Sequence, residues 1–294
     1  MPNEFRGIFP ALVTPMTPDE EIDLATLDTL VNYLIEQGVH GVIPLGSTGE
    51  YYALSAQERE EVLTTAIDAA DGRVPVLAGA NAGATREVVG YCLQAERLGA
   101  AGVMLAAPYY SLPTNDELVE HFRAVAESID IPIMLYNYPG RTGVDMTPDV
   151  IERLAELDRI QYVKESSGQV SRISEIIRRC GEKITVFCGC DTAALESFIL
   201  GAAGWVGGVV NLLPKQHVEL FRLVVKEGDI PVARELYYKL LPVLSMMEGG
   251  KYTQFVKAGC KLAGHPVGPP RRPLLPATPD EIAKLKELLS PLLP

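Results

Sequence analysis

A (β/α)8 barrel with a C-terminal helical extension is the fold class the sequence predicts, on three observations. Eight short apolar runs recur about every 25–30 residues. The segments between them space their apolar residues at helical rather than alternating period. The runs themselves are near-continuous Val, Ile, Leu and Ala, as strands buried on both faces of a parallel sheet require. Eight is the number that closes such a sheet into a TIM barrel, which typically takes about 250 residues. The chain has 294, leaving material for a tail.

Taken in order, the runs are GIFPALVTPM, GVIPLGSTGE, VPVLAGANAG, GVMLAAPYY, IPIMLYNYPG, IQYVKESSG, ITVFCGCD and WVGGVVN. Helices are expected between them over 23–37, 55–70, 85–98, 116–128, 148–157 and 170–180. Two of these open on a cap-and-charge signature, Ser55 followed by Glu58 and Thr85 followed by Arg86-Glu87. Interior strand positions read as mostly Val, Ile, Leu and Ala. The barrel is expected over 1–213, its last helix continuing to about 226, and the helical extension over 227–294. That extension carries the Pro-rich stretch GHPVGPPRRPLLPATP. No internal linker is long enough to split the barrel.

Composition narrows the function. A net charge of −12 gives a nucleic acid or an anionic membrane no electrostatic support. The N-terminal MPNEFRGIFPALVTPM lacks the basic region and long apolar stretch of a signal peptide, and no segment reaches membrane-span length. Five cysteines without a C-x-x-C spacing fit reduced thiols in a cytoplasmic protein. The four histidines are dispersed, so no metal site is expected.

Barrel enzymes place their sites at the C-terminal ends of the strands. Polar residues interrupt the apolar runs there: Ser47-Thr48, Tyr109-Tyr110, Tyr136-Asn137, Lys164-Glu165, Cys190-Asp191 and Asn211. Lys164 raises the sharpest question, because it ends a run of buried-strand character containing Ile160, Tyr162 and Val163. An unpaired ammonium buried there is costly, so it should be paired, shifted or in use. Used as a nucleophile, a lysine must be neutral, and at its ordinary pKa only about one in 2,500 is so at pH 7. Desolvation by apolar neighbours recovers reactive amine. A Schiff base between Lys164 and a ketone would stabilise an enamine and permit aldol addition, retro-aldol cleavage or β-elimination, with no cofactor beyond the lysine. Tyr136 could relay protons, the GSTGE turn offers hydroxyls and amides as an anion nest, and Arg141 could pair with a second carboxylate.

Each residue also has a plainer reading. A strand-end lysine is more often surface or ion-paired, although adjacent Glu165 should point to the opposite face. GSTGE can be a simple strand-to-helix turn, the tyrosine pair at 109–110 packing, and Arg141 a solvated loop charge. The CGC thiols read as small buried residues and the glycines of WVGG as close strand packing. A flavin- or phosphate-binding barrel would need basic support in the last two loops that the sequence lacks.

In combination, GSTGE after the second run, YNYPGRTG after the fifth and VKESSG at the sixth resemble the dihydrodipicolinate synthase/N-acetylneuraminate lyase family. Order and spacing match from about residue 5 to residue 211. The resemblance implies Schiff-base chemistry with pyruvate or a related 2-oxo acid, in a homo-oligomer that is a dimer or tetramer. It makes Lys164 the Schiff-base lysine, Tyr136 the catalytic tyrosine and Ser47 the relay hydroxyl, where synthases usually have threonine. Tyr110 matches a relay tyrosine reaching into a neighbouring subunit's site. Thr48 with its backbone matches the group holding the pyruvate carboxylate, Arg141 the receiver of the aldehyde substrate's carboxylate, and Gly189 and Val206 backbone positions lining the pocket.

Some positions depart from the family's pattern. Tyr52, Ala56, Arg59 and Gly83 stand in the lysine-feedback pocket, where only Glu87 and Tyr109 are kept, which argues against feedback by lysine. The tail has EGGKYTQFVKAG where biosynthetic synthases commonly carry an E-P-N-P turn. Arg141 favours a dihydrodipicolinate-synthase-like condensation of pyruvate with a carboxylate-bearing aldehyde. Ser47 and the tail favour the alternative, cleavage or dehydration of a 2-oxo-3-deoxy sugar acid or hydroxy-2-oxo acid. A catalytically silent 2-oxo-acid-binding barrel is the remaining class, and the relay at Tyr136 and Ser47 argues against it.

Overall fold

The structure is a computed structural model that describes residues 5–293. Seven strands are formed: β1 (Gly7–Pro10), β2 (Leu77–Gly79), β3 (Gly102–Ala106), β4 (Ile133–Asn137), β5 (Ile160–Glu165), β6 (Thr185–Cys188) and β7 (Gly204–Gly207). They pair in parallel in the order β1-β7-β6-β5-β4-β3-β2. The second apolar run supplies the missing stave between the sheet's two edges, with isolated bridges Ala11↔Ile43 and Val42↔Val76. Ile43 N donates to Pro10 O at 2.9 Å, and Leu77 N donates to Val42 O at 3.0 Å. This stave is shorter than expected because Pro44 has no N–H to continue the ladder and Leu45 turns into the left-handed region (φ 62). With it, the barrel closes.

Inside the barrel the expectation of Val, Ile, Leu and Ala needs correction. The inward residues form a cluster of Phe9, Leu77, Met104, Met134, Tyr162, Phe187 and Val206, among others. Ile8, Val103, Leu105, Ile133, Leu135, Val163 and Val186 instead belong to the core beneath the helices. Strands this short contribute few inward positions, so wide side chains fill the cross-section to the density an interior requires.

The helices are α1 (Leu24–Glu36), α2 (Ala56–Ala70), α3 (Thr85–Leu98), α4 (Asn115–Ala126), α5 (Pro139–Thr142), α6 (Pro148–Leu154), α7 (Ser171–Cys180), α8 (Ala194–Ile199) and α9 (Pro214–Phe221). A π-helical turn at Arg222–Glu227 follows, then α10 (Ile230–Glu248), α11 (Tyr252–Leu262) and α12 (Pro279–Leu289). Helix α2 has the full capping box: Ser55 Oγ accepts from Glu58 N, and Glu58 accepts from Ser55 N at 2.7 Å. The cap expected at Thr85 is not made. Ala84 holds the cap position of α3, and the Thr85 hydroxyl instead pairs with His121 Nδ1 at 2.9 Å. Helix α10 packs on the 191–193 turn and α8, and α11 on the 209–211 turn, which carries tail residues to the barrel mouth. Among the described residues no helix is long and apolar enough to cross a membrane.

Candidate active site

Alternation along β5 points Tyr162 and Lys164 into the barrel while Glu165 faces away. The register sets Lys164 between Tyr136 of β4 and Phe187 of β6, and its Nζ stands 4.0 Å from the centre of the Tyr136 ring. The residue is 6% exposed and has no ion-pair partner among the described residues. Glu165 is engaged elsewhere. Its carboxylate accepts from Asn137 Nδ2 at 3.0 Å and from Ser167 N at 2.6 Å. Asn137 in turn accepts from Met146 N at 3.0 Å and donates to Asp145, whose carboxylate is gripped by Arg172 at 2.6 and 2.7 Å. The guanidinium holds the Asp145 carboxyl below the usual range. These bonds tie the ends of β4 and β5 together and so fix where Tyr136 and Lys164 emerge.

The strand ends open on a cleft of about 200 Å³ lined by Ser47, Thr48, Tyr136, Arg141, Lys164, Gly189 and Val206. Of the residues to which the resemblance assigns catalysis or substrate binding, Tyr110 does not line it, and of the other strand-end polar residues Cys190 does while Tyr109, Asn137, Glu165, Asp191 and Asn211 do not. The Tyr110 side chain is 97% exposed on a loop where its φ is 71, and it does not reach the cleft of its own chain. Tyr109 lines an adjoining cavity of about 300 Å³, which also includes Ser47, Tyr136, Tyr138 and Arg141. Arg141, on the short α5, lines both spaces with its guanidinium 5.7 Å from the Tyr138 ring centre. In the GSTGE turn, Gly49 N donates to Gly46 O at 3.0 Å and Glu50 N to Ser47 O at 3.1 Å. The Ser47 and Thr48 amides have no acceptor among the described residues. Two free amides beside two hydroxyls form a concavity suited to an anion.

Sequence reasoning missed the tail's share of the lining, Tyr252, Thr253 and Glu248, which stand in the same cleft as Cys190, a strand-end residue expected at the mouth. Asp191 lies fully buried behind this lining, accepting from Trp205 Nε1 at 2.8 Å and from the Tyr252 hydroxyl. Burial, followed by the nearby Glu248 charge, raises its pKa to about 7. Glu248 accepts from Asp191 N at 2.6 Å and from Thr192 Oγ1 at 2.5 Å, and burial together with Glu248 pushes the Cys190 thiol up to about 11. No local pattern in the tail announces this docking. Ser166, Ser167 and Gly168 also line the cleft and could have been found, since they directly follow Lys164 in the VKESSG motif.

Gly189 is where the cleft tolerates least. A Cβ there would stand 2.0 Å from Ser166 Oγ, 2.6 Å from Lys164 Cγ and 2.8 Å from Lys164 Cε. Gly189→Ala is expected to displace the lysine and lower kcat/KM by about 100-fold, since misplacement by roughly 1 Å can cost that much. Kinetics beside a thermal melt check this, and wild-type kcat/KM in the folded variant would show that the lysine side chain is not so confined.

A closed parallel barrel whose strand ends bring a buried lysine, a tyrosine and a turn with two free amides into one cleft is the architecture of a lyase of the class I aldolase type. The chain belongs to the dihydrodipicolinate synthetase family, whose model matches residues 4–292. It is 40% identical over 287 residues to a 4-hydroxy-tetrahydrodipicolinate synthase of Methanothrix thermoacetophila, covering 97% of this chain and 96% of the relative. To the enzyme of that name from Methanocaldococcus jannaschii it is 38% identical, covering 98% and 99% of the two chains. The crystal structure of dihydrodipicolinate synthase from Aquifex aeolicus superimposes with a TM-score of 0.93 at 36% identity, covering 98% of each chain.

Proposed function

We propose that the cleft forms a Schiff base between Lys164 and pyruvate and adds the resulting enamine to an aldehyde that bears a carboxylate. The observation that carries this reading is the convergence of Lys164, Tyr136, the Ser47–Thr48 turn and Arg141 on one cleft. Lys164 Nζ attacks the ketone carbon, the carbonyl oxygen leaves as water, and the iminium draws electrons from the adjacent methyl. A proton leaves that methyl towards Tyr136 and Ser47, giving the enamine. Its carbon attacks the aldehyde, the relay returns a proton to the new alkoxide, and hydrolysis of the imine frees the lysine. The chemistry asks for no cofactor beyond Lys164. Thr48 and the free amides would hold the pyruvate carboxylate, Gly189 and Val206 would wall the pocket, and Arg141 would receive the aldehyde's carboxylate.

Tyr110 fits this scheme as a group donated to a neighbouring copy's relay, in a dimer or tetramer; its exposure supports that role. The five free thiols support a cytoplasmic home. Arg59, buried with its guanidinium 3.6 Å from the Tyr91 ring centre, sets a positive charge in the region where the family binds feedback lysine. A second cation would be repelled there.

Borohydride trapping with pyruvate, followed by peptide mapping, tests the reading; a single pyruvyl adduct on Lys164 is expected, and its absence would count against pyruvate. Arg141→Ala tests the second substrate. It is expected to lower kcat/KM for a carboxylate-bearing aldehyde by about 10–100-fold, as loss of a charge-assisted pair implies, while leaving pyruvate trapping intact. An unchanged aldehyde profile would favour the second reading, a 2-oxo-3-deoxy sugar acid or hydroxy-2-oxo acid. Glu248 and Thr253 in the cleft wall support that alternative, because they offer partners to hydroxyl groups.

A further inference from the structure

Glu50 closes the GSTGE turn with a left-handed backbone (φ 57), and its side chain is fully removed from solvent. Its Oε1 lies 2.7 Å from Nζ of Lys257 on α11, the two side chains being 0% and 1% exposed. Lys257 also donates to the Pro269 carbonyl at 2.8 Å, and Glu50 Oε2 accepts from the Arg271 backbone amide at 2.8 Å. The Arg271 guanidinium reaches back to the Ala53 carbonyl at 2.9 Å and the Glu58 carboxylate at 2.7 Å. Helix α11 braces the turn a second time through Tyr252. The Tyr252 hydroxyl accepts from Gly208 N at 2.9 Å. Gly208 is packed so closely that a Cβ would stand 3.0 Å from Thr48 Oγ1 and 2.5 Å from Tyr252 Cε1.

Two fully buried opposite charges add little net stability compared with an apolar pair, because desolvation offsets their attraction. Burial does depress the Lys257 pKa even with Glu50 beside it. The pair ties the turn that carries Ser47 and Thr48 to α11.

We propose that Lys257 is a positioning residue for the carboxylate of the 2-oxo acid, acting through Glu50 on the Ser47–Thr48 turn. This rests on the reading of that turn given under the proposed function. Lys257→Met and the double variant Lys257→Met/Glu50→Gln, which leaves no unpaired buried charge, are compared with the wild type. The readouts are steady-state kinetics and the pyruvate concentration giving half-maximal borohydride trapping on Lys164. Both variants are expected to raise the pyruvate KM and the half-trapping concentration about tenfold, the scale of effect that small misplacements produce. Trapping at saturating pyruvate should still go to completion, and kcat should fall by less than KM rises.

A merely structural role would lower the melting temperature and leave the pyruvate KM where it was. A folded double variant with wild-type pyruvate KM therefore overturns the proposal, and it decides the matter if Lys257→Met alone does not fold. Failure of the wild type to trap pyruvate at all would remove the 2-oxo-acid reading and this inference with it. That result differs from one in which wild type and variants trap at the same concentration, which removes this inference alone.

Discussion

Lys164→Ala is expected to abolish the trapped adduct and to lower kcat by about four orders of magnitude or more, as removal of a nucleophile does elsewhere. Little of the fold depends on this side chain. Its Nζ lies against the Tyr136 ring, no carboxylate is paired with it among the described residues, and Glu165 is held by Asn137 and Ser167. Truncation removes a poorly solvated polar head along with its packing stem, and these changes oppose each other. The melting temperature is therefore expected to move by only a few degrees while turnover disappears. Mass mapping of borohydride-treated wild type and variant, together with kinetics on both, distinguishes the outcomes. A folded variant that keeps a few per cent of activity, or an adduct on another lysine, would assign the chemistry elsewhere. An unfolded variant would return Lys164 to a structural role.

How much of this was legible in the sequence follows from the distance over which each feature is encoded. Helix periodicity is local, and α1 and α3 fall within a residue or so of the expected 23–37 and 85–98. The rule that barrel sites gather at strand ends pointed to Lys164, Tyr136, Ser47 and Thr48, the PGRTG loop to Arg141, and the family resemblance added Gly189 and Val206; all seven line one cleft. Which face of a strand looks inward was harder to read. A run apolar on both faces has no alternation, so the aromatic and methionine interior went unseen. Hidden most completely were pairings across the chain, such as Glu50 with Lys257 and Asp191 with Tyr252. Each joins a strand-end turn to a tail helix, and such docking leaves no periodic mark at either end. The Thr85 cap failed for a related reason, since its hydroxyl is claimed by His121 on the next helix.

Tyr136→Phe separates proton transfer from the support the ring gives. Its ring belongs to the barrel's interior cluster, lies 4.0 Å beneath Lys164 Nζ and sits 6.0 Å from the Tyr138 ring centre, none of which requires the hydroxyl. Fold, pyruvate KM and eventual trapping should therefore survive. In the proposed reaction the hydroxyl moves a proton twice, off the pyruvate methyl to form the enamine and onto the new alkoxide after addition. General acid–base catalysis of this kind contributes about 10²–10⁴-fold, so kcat is expected to fall by that range. Exchange of the pyruvate methyl hydrogens with deuterated water, followed by NMR without any aldehyde, isolates the first of the two transfers. It should slow by a similar factor in Tyr136→Phe and vanish in Lys164→Ala, because without the iminium the methyl has no electron sink. Near-normal exchange with a large loss of kcat would confine Tyr136 to the second transfer, at the alkoxide. Near-normal values of both would leave it as the surface on which the lysine rests and pass the relay to Ser47.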